Sequence, residues 1–236
     1  MILGLDISTS ITGATVLDEN GKVVFCEAWD FRNKRYYPTL FEKGHEIKEL
    51  LYQLKLEYDI TSVYIEQSLQ SFRSGFSSAK TLSTLSRFNG IVSWLCYEVF
   101  DLKPEYIAAT SARKKCGITI PKGQKAKRVV IQYVVDNVPD VLIEYTKHGN
   151  PKPQCFDKAD SWVVARAGWL TCQEKVKKLS FTALDAIITR KNFRLTLKKM
   201  FLNVGSATGL EKIFIESSDS TEITIPGITG RVFKTK

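Results

Sequence analysis

Asn20-Gly21 stands between two apolar-rich runs, residues 12 to 17 and 22 to 29, and such a dipeptide closes a hairpin because both residues tolerate positive φ. With residues 2 to 7 ahead of them, these runs predict three strands in an antiparallel meander. Leu40, Ile47, Leu50, Leu51 and Leu54 then recur at helical spacing after Pro38 and lead into a further strand over residues 62 to 66. That order implies a parallel return across the same sheet. A long helix is expected over 77 to 99, with a broad apolar side (Leu82, Leu85, Ile91, Val92, Leu95, Val99) that serves as core or also as a dimer face. A short strand over 105 to 109, a helix over 125 to 137, a Pro-bearing loop and a last core helix with Trp162, Val163, Ala165, Ala167 and Trp169 complete the pattern. The expected class is therefore α/β.

Beyond about residue 174 the pattern loosens. A helix over 182 to 201 and short strands near 213 to 215, 223 to 225 and 232 to 233 are expected there. Residues 1 to 174 read as one domain and 175 to 236 as a C-terminal extension. At 236 residues and 44% apolar composition, the chain has material for a proper core and is not a disordered protein.

Three element ends terminate in acid. Asp6 closes the run Ile2-Leu3-Gly4-Leu5, Glu66 closes Val63-Tyr64-Ile65, and Asp157 and Asp160 open the last core helix. An unpaired carboxylate next to a buried strand carries a large desolvation cost. Singly, each acid also reads as a solvated strand end, and the Asp157/Asp160 pair reads as an N-cap with a capping-box partner. Together they have the composition of a hard-cation site, since Mg²⁺ and Mn²⁺ prefer carboxylate oxygens and water. Two such ions about 3.5 to 4 Å apart can activate water and stabilise the leaving oxygen in phosphodiester cleavage.

Charge position supports a polyanionic partner. The 34 Lys and Arg outnumber 25 Asp and Glu, for a net charge of +9. Arg113, Lys114, Lys115, Lys122, Lys125, Lys127 and Arg128 fall in one tract without an acid, the pattern that binds a phosphate backbone and releases counterions. A second stretch from Lys175 to Lys199 extends the basic character. The five cysteines show no metal-ligand spacing, and their odd number argues against a closed disulfide framework. His45 and His148 read as surface or loop residues. No segment approaches the ~20 apolar residues of a membrane span, which predicts a soluble, cytoplasmic protein.

The combination Gly4-Leu5-Asp6-Ile7-Ser8-Thr9-Ser10 with Thr12-Gly13, Ile65-Glu66-Gln67, Ser77-Ser78-Ala79, Arg87-Phe88-Asn89-Gly90 and Asp157-Lys158-Ala159-Asp160-Ser161-Trp162 resembles the RuvC-like Holliday junction resolvases of the ribonuclease H-like superfamily, the phage-encoded members above all. The likeness spans roughly residues 1 to 172. It implies a mixed five-stranded sheet flanked by helices, a nuclease domain over 1 to 174, and four catalytic, metal-holding acids: Asp6, Glu66, Asp157 and Asp160. It also implies two Mg²⁺ ions (Mn²⁺ serving as well), a homodimer, and cleavage of four-way DNA junctions by paired nicks that leave 5′-phosphate and 3′-hydroxyl ends. In bacterial members an aromatic residue three positions after the glutamate probes the junction. Here that position is Leu69, and Phe72 with Arg73 stands nearest as a stacking pair.

Two other classes fit parts of the pattern. Asp6-Ile7-Ser8-Thr9-Ser10 before Gly13 also resembles the phosphate hairpin of actin-like kinases and ATPases, although the chain is short for two such lobes. A non-catalytic junction-binding protein would keep the cations without needing all four acids.

Overall fold

Strand β1 (Ile2–Asp6) lies at the centre of a mixed five-stranded sheet of order β3-β2-β1-β4-β5. It pairs antiparallel with β2 (Ile11–Leu17), which pairs antiparallel with β3 (Val23–Asp30). On its other side β1 runs parallel to β4 (Ser62–Glu66), followed by a parallel β5 (Glu105–Ile107). This computed structural model describes residues 1–67 and 79–189 and the strand pair 202–203 and 212–213, with side chains described through 177. Phe72 and Arg73 lie outside the described residues.

The hairpin between β2 and β3 forms where Asn20-Gly21 predicts it. Gly21 adopts φ 77°, and the Asp18 carboxylate accepts the backbone N–H groups of Asn20 and Lys22 at 2.9 and 2.8 Å. An Asx turn thus shares the work with the glycine.

Strand alternation sorts the sheet into two faces. Leu3, Leu5, Ala14, Val16, Val63 and Ile65 point to helices α1 (Leu40–Glu57) and α2 (Ala79–Phe100), where they meet Ile47, Leu51, Leu54, Phe88, Val92 and Val99. The opposite face, with Leu17 and Tyr64, packs under α3 (Ala109–Lys115), α4 (Ala126–Asn137) and α5 (Pro153–Thr189). The sheet is therefore sandwiched between two helical layers. Helix α1 is fixed at its start by a capping box in which Thr39 and Glu42 satisfy each other's backbone donors.

Helix α5 crosses the sheet at glycines. A Cβ on Gly4 would lie 2.3 Å from the Ala165 nitrogen, one on Gly13 would lie 2.0 Å from the Asp157 carbonyl oxygen, and one on Gly168 would lie 2.3 Å from the Tyr64 ring. At Gly4 and Gly13 backbone thus packs on backbone, and at Gly168 the Tyr64 ring packs on the helix backbone, closer than a side chain there would allow. Thr15 and Ser161, both buried, share a 2.8 Å hydrogen bond across the same contact.

Four expectations need correcting. The strand expected over 105 to 109 stops at Ile107, because Ala109–Lys115 turns into α3. Helix α5 begins at Pro153, so Asp157 lies inside the helix and not at an N-cap. No separate helix starts at 182, since the stretch from 172 to 189 carries no Gly or Pro and α5 continues to Thr189. The strand expected at 213 to 215 is β7 (Lys212–Ile213), antiparallel to β6 (Leu202–Asn203), and the other short strands fall outside the described residues. By packing, Met1–Cys172 forms one unit and Gln173–Lys236 another.

Candidate active site

Strand parity brings the acids together. Ile2, Gly4 and Asp6 alternate onto the face covered by α5, and so do Tyr64 and Glu66. Because β1 and β4 run parallel with Leu5 opposite Ile65, Asp6 and Glu66 leave neighbouring strands at the same end of the sheet. On α5, Asp157, Asp160, Ser161, Val164, Ala165 and Gly168 share one helical stripe, and the Gly13 contact presses the Asp157 backbone onto β2.

Local hydrogen bonds fix the strand ends. After Asp6 the chain reverses through Ser8, whose Oγ donates to the Ile11 carbonyl at 2.8 Å and accepts the Ser10 and Ile11 N–H groups at 3.2 and 3.0 Å. Asn89 Nδ2 of α2 donates to the Glu66 carbonyl at 3.4 Å.

The four acids form one electrostatic group. Burial, then the Glu66 and Asp160 carboxylates, push Asp6 well above its ordinary range. Burial and Asp160 push Glu66 from 4.5 to about 7. Asp157 and Asp160 are raised by burial as well, with Lys127 opposing. Lys127 Nζ lies 3.5 Å from Asp157 Oδ1 and 3.6 Å from Asp160 Oδ2, and Arg113 lowers both Glu66 and Asp160. Two members of the basic tract thus face the acids. Lys127 was expected on a phosphate track, but α4 seats beside α5 and turns its ammonium onto the acids there. Lys114, Lys122, Lys125 and Arg128 remain exposed, and Lys115 is half-buried.

Among the described residues, no three His, Cys, Asp or Glu side chains close into a metal-binding group. The donor chemistry nonetheless fits a hard divalent cation, because every acid here is an oxygen ligand whose charge is held back by its neighbours. His45 and His148 are exposed, and all five cysteines are free thiols. No helix among the described residues is long and apolar enough to cross a membrane.

A stability profile tests this group. A carboxyl whose folded-state pKa exceeds its unfolded value holds its proton more tightly when folded, so its destabilising effect grows as pH rises through the window between the two. For Glu66 that window runs from 4.5 to about 7, and the loss is on the order of 3 kcal/mol. The melting temperature of the metal-free protein should fall by roughly 5 to 10 °C between pH 5 and 7.5, and Glu66→Gln should flatten that fall. A melting temperature that rises or stays level across this range would show that burial and Asp160 do not hold the proton on Glu66.

The sheet order and the flanking helices define a ribonuclease H-like fold. Among solved structures, the chain is similar to Thermus thermophilus RuvC in complex with a Holliday junction substrate, with a TM-score of 0.52 and 12% identity over 73% of this chain and 94% of that one. It is also similar to Thermus thermophilus RuvC, with a TM-score of 0.50 and 13% identity over 74% and 96% of the two chains. The yeast mitochondrial Holliday junction resolvase Ydc2 gives a TM-score of 0.51 and 14% identity over 75% and 80%. At these identities the likeness is one of fold. No protein-family profile matches the chain, and no curated protein sequence matches it.

The basic run after β3 is short, and nothing in the sequence signals its place beside the acids. Arg32 there acts on Asp157, and only the pairing of β3 with β2 reveals the proximity.

Proposed function

We propose that this protein is a metal-dependent, structure-selective DNA endonuclease that resolves four-way junctions by paired symmetric nicks. The observation that carries this reading is the placement of Asp6 and Glu66 at adjoining parallel strand ends, on the face covered by the helix bearing Asp157 and Asp160. One neighbour of like fold is bound to a Holliday junction substrate and another is a Holliday junction resolvase, which favours the same substrate class here.

In this reading Asp6, Glu66, Asp157 and Asp160 hold two Mg²⁺ ions, and Mn²⁺ serves as well. When bound, the ions supply a more acidic water and charge neutralisation at the departing 3′ oxygen, so that no protein nucleophile is needed. The chain's own residues do the remaining work. The Gly13 contact holds Asp157 against the sheet, and the Ser8 turn holds Asp6 at its strand end. Lys127 and Arg113 offset the acids' mutual repulsion before substrate arrives. Lys114, Lys115, Lys122, Lys125 and Arg128 carry the phosphate backbone, and Phe72 and Arg73 stack at the junction.

A homodimer suits paired nicking, since each copy brings one set of acids. Trp94, 62% exposed, and Tyr97 lie ring to ring at 5.7 Å on the outer side of α2, an aromatic surface that suits such pairing. The kinase reading is weaker here, because the Ser8 hydroxyl is engaged inside its own turn and Thr12 Oγ1 donates to the Ser8 carbonyl at 3.1 Å.

Purified protein with Mg²⁺ should cut a synthetic four-way junction at least ~100-fold faster than linear duplex, with flaps and forks as graded comparisons. Cleavage that ignores branching would remove structure selectivity, and nucleotide hydrolysis without DNA cleavage would move the protein to the kinase class.

A further inference from the structure

Beyond β3, the segment 31–36 is a built turn on the outside of the fold. Phe31 anchors it, being 1% exposed and donating its N–H to the Ser10 carbonyl at 2.8 Å, so the segment is tied to the turn that follows Asp6. Asn33 shapes it: its carbonyl accepts the Tyr36 and Tyr37 N–H groups at 3.1 and 2.9 Å, and its Oδ1 accepts the Arg35 N–H at 3.0 Å. Arg32, Lys34, Arg35 and Tyr36 are exposed, Tyr36 at 65%.

The same turn borders a second cationic place. Lys43 of α1, whose Nζ donates to the Thr9 carbonyl, and Arg87 of α2 line a cavity of about 500 Å³ with Thr9, Thr39 and Pro38. Two of the nearby acids are already engaged, while a third, Glu46 of α1, acts on Tyr37. Asp30 holds Arg32 through both carboxylate oxygens, and Glu42 is spent in the cap of α1. This cationic place belongs to the α1/α2 layer, whereas the Arg113–Arg128 tract belongs to the layer on the other side of the sheet. The acidic strand ends lie between the two.

We propose that Lys34, Arg35, Lys43 and Arg87 form a second DNA-backbone surface, which grips phosphates of the strand presented to the acids, with Tyr36 as the ring on which an unpaired base stacks. Two basic surfaces from different layers would hold a strand on both sides of the bond to be cut, which one tract alone cannot do. A phosphodiester chain suits the place because exposed guanidinium and ammonium groups beside an exposed ring recur where single strands are bound. This inference rests on the nuclease reading above.

The test is a fluorescence-anisotropy titration of a four-way junction, without divalent metal, across a salt series. A Lys34→Gln/Arg35→Gln double variant should bind roughly tenfold more weakly, and its log-affinity against log-salt slope should be shallower by about 1.8 for two lost phosphate contacts. Tyr36→Ala should weaken binding to junctions and forks roughly tenfold while leaving linear duplex unchanged. All three positions are exposed, so melting temperatures should match wild type. Wild-type binding with an unaltered slope in the double variant would overturn the surface while leaving the nuclease reading standing. Failure of the wild-type protein to bind any branched DNA would remove both.

Discussion

Asp6→Asn should abolish junction cleavage, by ~10³-fold or more, while raising the melting temperature of the metal-free protein. The two effects have one cause. Asp6 is part-buried and is pushed up by burial and by three other carboxylates, so its charge is unfavourable to the fold until a cation shares it. Asparagine keeps the shape and removes the charge. Because the Glu66 and Asp160 carboxyls press on Asp6, the variant should lose much of the repulsion that builds in the wild type as pH rises. Under the proposed nuclease function, junction binding in the absence of metal should be unimpaired, because the change removes a negative charge from the site proposed to face DNA. The measurements are single-turnover cleavage with Mg²⁺, anisotropy without it, and thermal denaturation. Retained cleavage would exclude Asp6 from the chemistry, and a lowered melting temperature would show that its charge is paired and not strained.

Gly13→Ala should be among the most damaging single-methyl substitutions in the chain. The added Cβ would meet the Asp157 carbonyl oxygen at 2.0 Å and the Ser161 Cβ at 2.9 Å. The first of these contacts is with backbone, so no rotamer change relieves it, and α5 must lift from β2 at the turn that carries Asp157. Overpacking of this kind costs about 3 kcal/mol or more, which would lower the melting temperature by roughly 6 to 12 °C in a chain of this size. Cleavage should be lost even at temperatures where the variant stays folded, because the acids on α5 move relative to Asp6. Gly90→Ala is the control. Gly90 lies within α2 with nothing within 4 Å of its missing Cβ, so alanine there should be neutral or stabilising by up to ~1 kcal/mol. Equal effects at both positions would mean that the close crossing of α5 does not set the site.

Much of this arrangement was legible in the sequence because it rests on local periodicity. The alternating apolar residues of β1, β2 and β4, the Asn20-Gly21 turn and the helical spacing from Leu40 to Leu54 each encode their own element. The sheet's mixed direction followed from their order. What escaped depends on contacts between distant segments. Gly4 and Gly13 belong to the resemblance motif, but why neither can carry a side chain shows only once α5 is laid on the sheet, as does the contact of Gly168 with Tyr64. Asp157 resembles a cap in the sequence because Pro151 and Pro153 mark a loop, yet proline suits a helix's first turn and α5 starts at Pro153. Lys127 counted as one cation among seven, and only the packing of α4 beside α5 turns it toward Asp157 and Asp160. Helix α3 was missed because Ala109–Lys115 is two turns long and carries little apolar periodicity, with Ala112 alone fully buried.

The close crossings of α5 over the sheet bear on how such proteins diverge. A spacing set by main chain against main chain does not change when neighbouring core side chains are exchanged for others of different size. Most of the interior can therefore change while the distance between strand ends and helix survives, provided Gly4 and Gly13 keep hydrogens where a methyl would obstruct. A geometry held this way tolerates wide change in sequence, in keeping with a like fold at 12 to 14% identity.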